Sequence, residues 1–140
     1  MTSLLLDTMV TSELRRARHR DADPAFARWA ASTDLTTAYV SVITLHEMWR
    51  GVRLTERKDP ATGAVYRTWL EDLVEAFHGR VLDLTADAAV LSAAYHVPDP
   101  APLADALIAG TAAVHGLTVA TRNTADFRRF GVPLVNPWDK

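Results

Sequence analysis

Short apolar runs alternate along this chain with stretches whose apolar residues recur every three or four positions, the periods of strand and helix. Leu4-Leu5-Leu6 is the first run and stops at Asp7; a helix is predicted from about Met9 to Arg18. Asp23-Pro24 reads as an N-cap followed by the first helical position, opening a helix through Ala31. Ala38 to Val42, aromatic and β-branched, predicts a second strand. Thr44-Leu45-His46-Glu47 has capping-box spacing at the head of a helix running toward Thr55. Asp59-Pro60 and Gly63 predict a turn. From Val65 onward, Trp69, Leu70, Leu73, Val74 and Phe77 recur at helical spacing, with Gly79 just past the end.

The second half repeats the alternation. Val81 to Leu84 predicts a third strand and about Ala86 to Tyr95 a helix. Val97-Pro98-Asp99-Pro100-Ala101-Pro102 cannot continue a regular element and must be a loop. Leu103 to His115 predicts a helix closed by Gly116, and Leu117 to Ala120 a fourth strand. A short helix from Thr124 to Arg129 and a final strand from Val132 to Val135 complete the pattern. Alternating β and α units imply an α/β fold, a mainly parallel sheet covered by helices on both faces. In such folds ligands gather beyond the carboxyl ends of the strands.

Composition narrows this picture. With 140 residues, the expectation is a single domain over residues 1–140. The chain has no cysteine, which excludes disulfides and thiolate metal sites. Only three consecutive apolar residues precede Asp7, too few for a signal peptide, and Ala106 to Ala120 is too short and too broken to span a bilayer. A cytoplasmic protein without membrane attachment is therefore expected. The net charge of -2 argues against a generic polyanion binder. A nucleic-acid enzyme with this balance would need bound metal and a local basic rim to bring phosphate in.

Four acids fall beyond predicted strand ends. Asp7 follows the first strand and is also a natural N-cap. Glu47 lies just past the second strand and is also the capping-box partner of Thr44. In both cases one carboxylate oxygen can cap while the other faces a metal. Asp105 interrupts a helix that is apolar on nearly every other face, where a charge is costly unless paired or metal-bound. Asp126 follows the fourth strand, with Asn123 competing as the polar group nearest its end. Clustered carboxylates raise one another's pKa, and a hard divalent cation cancels the repulsion. Mg²⁺, which takes oxygen ligands and keeps waters, suits such a cluster and supports phosphodiester hydrolysis. The five histidines show no ligand spacing, and no glycine-rich phosphate loop is present.

These residues resemble the PIN-domain toxins of bacterial toxin–antitoxin pairs, the VapC ribonucleases, and within them the FitB-like branch. Leu5-Leu6-Asp7-Thr8-x-Val10-x-Ser12-Glu13-Leu14 is similar to the family's first acidic motif, and Val40 to Gly51, containing Glu47, to its second. Pro102 to Ala109 and Thr121 to Phe127 are similar to the third and fourth, and the ending Val135-Asn136-Pro137-Trp138 also matches. The resemblance implies a three-layer α/β/α fold, Mg²⁺ or Mn²⁺ dependence, cleavage of single-stranded RNA, dimerisation and a cognate antitoxin. It places Asp7, Glu47, Asp105 and Asp126 as catalytic metal ligands, with Thr8 and Asn123 in support. One departure is Met9, where the family usually has Asn; a thioether is only a weak acceptor. The alternative it raises is a catalytically weak PIN-like domain acting mainly through a partner protein.

Basic residues supply a candidate RNA-backbone rim. Arg15 and Arg16 belong to the run ending at Arg20, Arg50 shares a predicted helix with Glu47, and Arg122 adjoins the fourth motif. Trp69, Leu73 and Phe77 form either a core face or a dimer or antitoxin surface.

Overall fold

The computed structural model describes residues 3–17 and 22–139. Its elements run β1 (Leu4–Leu6), α1 (Thr8–Glu13), α2 (Pro24–Ser32), β2 (Tyr39–Ser41), α3 (Val42–Lys58), α4 (Pro60–Ala76), β3 (Val81–Leu82), α5 (Ala86–Ala93), α6 (Leu103–His115), β4 (Thr118–Ala120), α7 (Thr124–Phe127) and β5 (Leu134–Val135). The five strands form one sheet in the order β3-β2-β1-β4-β5, with every pairing parallel. The expected three-layer α/β/α architecture is what the chain adopts.

Successive strand residues point to opposite faces, and here both faces are covered. Leu5, Tyr39, Val119 and Leu134 join a core with Ala106, Ile108, Ala109 and Ala112 of α6 and with Phe127. Their neighbours Leu6, Val40, Ala120 and Val135 join a second core with Val10 of α1, Phe26 of α2, and Leu73 and Phe77 at the end of α4. Strands buried on both sides read as continuous apolar runs, which is why Leu4-Leu5-Leu6 carries no alternation. Full burial of a side chain such as Leu5 or Leu6 contributes about 1.5–3 kcal/mol.

Helix α6 matches its predicted bounds, and Gly116 closes it in the left-handed conformation at φ 67°. Several expectations need correction. Helix α1 ends at Glu13; Leu14 to Ala17 continue as turns whose N–H groups bond three residues back, tighter than an α-helix. The remainder of that predicted helix, and the basic residues from Arg18 to Arg20, lie outside the described residues. Helix α3 starts at Val42, not Thr44, because the Ser41 hydroxyl accepts the Thr44 N–H at 3.2 Å and takes the cap. Glu47 is thereby moved into the second turn, and the capping box does not form.

The predicted turn at Asp59 to Gly63 shrinks to one residue. Asp59 ends α3 and also N-caps α4, so Asp59-Pro60 acts as a helix start rather than a loop. Gly63 lies inside α4, where an added Cβ would stand 2.5 Å from the Glu56 Cα of α3. Its place there reflects close helix approach. The two helices form an antiparallel hairpin around Met48, Val52 and Leu70; Phe77 is buried, whereas Trp69 and Leu73 are packed alongside and only partly buried. Helices α5 and α7 are shorter than predicted, each finishing in a 3-10 turn.

Candidate active site

The sheet order reverses direction between β1 and β4, and a crevice opens beyond their carboxyl ends, where open α/β sheets bind ligands. A cleft of about 390 Å³ lies there, lined by Asp7, Thr8, Met9, Ser12, Glu13, Glu47, Asp105 and Asn123. A larger groove of about 750 Å³ elsewhere is walled by Leu14, Ala27, Ala30, Trp69 and Leu73, with Arg15 the one charged residue among the described lining residues. The candidate acids Asp7, Glu47 and Asp105 line the smaller space.

Asp7 is fixed by the end of β1. Its N–H bonds the Ala120 carbonyl at 3.1 Å, and its Oδ1 caps α1 by accepting the Val10 N–H at 2.9 Å. The side chain is buried, 5% exposed. Burial pushes its carboxyl above the ordinary range, against hydrogen bonds from the Thr121 side chain and Val10 N–H; the Glu47 charge pushes the same way. Asp7 is thus both cap and cleft residue, as its two sequence readings allow.

Glu47 reaches the cleft from the second turn of α3. The Thr8 hydroxyl lies 2.5 Å from Glu47 Oε1 and 3.2 Å from the Thr44 hydroxyl. Thr8, at the first position of α1, therefore ties Glu47 to the end of β1. Asp105 enters from the first turn of α6, whose N-cap Pro102 offers no side-chain bond. Burial raises the Asp105 carboxyl to about 6, and Asp7, Glu47 and Asp126 each add to the rise. Asp126 is exposed on α7 and does not line the cleft; its charge still reaches Asp105.

Sequence reading missed three contributors. Ser12 and Glu13 line the cleft, and Thr121 is fully buried beside Asp7. Met9, Ser12 and Glu13 stand at i, i+3 and i+4, the spacing that puts residues on one helix face, so the first two were recoverable. The proposed rim fares unevenly. Arg15 lies over the rings of Tyr66, 4.2 Å from the centroid, and Trp69, away from the cleft lining. Arg122 stacks on Trp138 at 4.9 Å. Arg16 and Arg50 are exposed.

Among the described residues, no three acidic or imidazole side chains close directly on one point. The donor set still suits a hard cation: oxygens only, an excess of negative charge, and open volume for coordinated water. Mg²⁺ ordinarily keeps several waters and takes one or two carboxylates, so an incomplete protein cage fits it. Asp7, Glu47 and Asp105 are the residues able to hold such an ion.

The chain matches the PIN domain family over residues 4–133. It is 33% identical over 142 residues to the VapC ribonuclease Y4jK of Sinorhizobium fredii, covering 97% of this chain and 98% of the relative. It is 33% identical over 141 residues to the toxin FitB of Neisseria gonorrhoeae, covering 96% and 98%. The solved structure of FitAB bound to an IR36 DNA fragment superposes with a TM-score of 0.86 at 32% identity, covering 98% of this chain and 96% of that chain. The chain belongs to the PIN-domain family, in the branch of VapC-type toxins that includes FitB.

Proposed function

We propose that this protein is a metal-dependent endoribonuclease, the toxin of a toxin–antitoxin pair. The observation that carries the reading is the gathering of Asp7, Glu47 and Asp105 at the point where the sheet order reverses, with Asp105 pushed up to about 6 by burial and by the other acids. Such mutual repulsion is costly unless a cation uses it. The relatives named VapC ribonuclease and toxin FitB support the nuclease and toxin parts. The FitAB complex supports a protein partner, which for this chain would be a cognate antitoxin. A homodimer remains part of the proposal.

Asp7, Glu47 and Asp105 hold Mg²⁺, or Mn²⁺ in its place. Bound there, the ion would polarise a phosphodiester and lower the pKa of an attacking water. The chain's own contribution is placement. Asp7 is locked to β4 and to its helix cap, Thr8 orients Glu47, and Asp105 supplies the charge on the third side. Asp126 acts on Asp105 through its charge, and exposed Asn123, at the cleft edge, is placed to meet substrate. Arg15, Arg16, Arg50 and Arg122 are the candidate residues for a phosphate-binding rim, with Arg15 and Arg122 each lying against aromatic rings.

Holding a cation requires ionised Asp105, so metal affinity and cleavage fall as pH drops below about 6. The decisive assay incubates antitoxin-free protein with a panel of structured RNAs in Mg²⁺, Mn²⁺ or EDTA. Cleavage should need metal and fall by more than about 100-fold in Asp7→Asn and Asp105→Asn, beyond the range of outer-shell changes. Undiminished cleavage by both variants would sink the site. Met9, 41% exposed at the cleft, favours a second reading as a weak nuclease that works by binding its partner. Under that reading a silent parent gains cleavage on Met9→Asn.

A further inference from the structure

The segment from Val97 to Pro102 leads straight into α6 and so sets where Asp105 begins. Three of its six residues are proline, which has no N–H to donate. Residues 97–100 are exposed, and only Ala101 packs against the core. Little within the segment holds it in place. The restraints come from outside, and one side chain supplies most of them.

Arg129 follows α7 and lies over the Phe130 ring, 6.0 Å from its centroid. Its Nη2 donates to the Tyr95 carbonyl at 2.8 Å and to the Asp99 carbonyl, and its Nη1 donates to the Pro100 carbonyl at 3.2 Å. The planar guanidinium fork suits three convergent acceptors in a way an ammonium does not. His96 adds one bond, its Nδ1 accepting the Ala101 N–H at 3.2 Å. Arg129 also stands three residues from Asp126, whose charge Asp105 feels. One residue thus links the element bearing Asp126 to the segment that delivers Asp105.

We propose that Arg129 is a positioning residue for the acidic cleft, acting through the 97–102 segment to hold Asp105 in the cleft lining that it shares with Asp7 and Glu47. This rests on the reading of the cleft as a metal site. It adds a part that touches neither metal nor substrate, beyond the acids and the rim.

The test compares the parent, Arg129→Ala, Arg129→Lys and Asp105→Asn by Mn²⁺ titration and by amide hydrogen exchange without metal. Arg129→Ala should speed exchange at Ala101 and Ala106 while the β4 amides stay protected. It should also weaken Mn²⁺ binding by about 10-fold, the lower end for outer-shell partners. Arg129→Lys should recover part of that affinity, and should show the same local loosening in weaker form if the alanine variant does not fold. Faster exchange at Ala101 with unchanged Mn²⁺ affinity would overturn the proposal, leaving Arg129 a simple staple. Loss of protection throughout the sheet in both variants would overturn it as well. If Asp105→Asn binds Mn²⁺ as tightly as the parent, the metal-site reading fails by itself, whatever Arg129 does.

Discussion

Glu56 on the α3–α4 hairpin and Asp105 at the cleft are both partly buried carboxylates, and their surroundings treat them in opposite ways. Arg67 grips Glu56 with two parallel bonds, Nε to Oε2 at 2.7 Å and Nη2 to Oε1 at 3.0 Å, while its guanidinium stacks over Trp49 at 5.0 Å. That hydrogen-bonded pairing holds the Glu56 carboxyl below its ordinary range. Asp105 instead feels burial and three other acids, and its carboxyl rises to about 6. The hairpin neutralises its charge internally, whereas the cleft concentrates like charge. Scaffold and site can be told apart by that difference before any chemistry is assigned.

Loss of the clamp on Glu47 should have the largest effect. Thr8→Val keeps the shape but removes the donor to Glu47 and should weaken Mn²⁺ binding about 10–100-fold with little change in melting. Equal affinity in a titration would show that Glu47 needs no such guide. On the hairpin side, Gly63→Ala forces a methyl against the Glu56 backbone and should cost about 1–3 kcal/mol in denaturant unfolding. Its effect on metal binding should be small, since the contact at Glu56 lies more than two turns along α3 from Glu47.

The comparison becomes sharper with pH. Asp105 has a folded pKa of about 6 against an ordinary value near 3.8, so the folded state binds more protons in that interval and loses stability as pH rises through it. Asp105→Asn removes the charge and should raise the melting temperature of metal-free protein at pH 8, with the gain fading toward pH 4. A gain of equal size at both pH values would point to packing instead. The smallest effect belongs to Arg67→Ala. Its pair is about a third exposed, so thermal melting should fall by no more than a few degrees.

How far the sequence carried depends on whether the deciding partner was nearby. Helix α6 was legible at both ends because its apolar face and Gly116 are local signals. Asp7 and Asp105 were legible because a strand end and an apolar helix make acids conspicuous. The start of α3 was not, since Ser41 and Thr44 are equally good caps and only β2's length chooses between them. The seat of Arg15 against Tyr66 and Trp69 was not legible, because those rings lie some fifty residues on. Thr121 was invisible for the same reason: its bond to Asp7 joins strands from opposite ends of the chain.

That last pairing bears on how the cleft is made. Strand β1 is synthesised before its partner β4 at Thr118–Ala120, which follows more than a hundred residues later. At the usual ribosomal rate of about 5–20 residues per second, many seconds separate the two. Asp7, whose N–H bonds the Ala120 carbonyl, cannot take its place until β4 lies beside β1. The cleft therefore assembles only after β4 has been made, and a chain that stops short of Thr118 cannot hold Asp7 in its place.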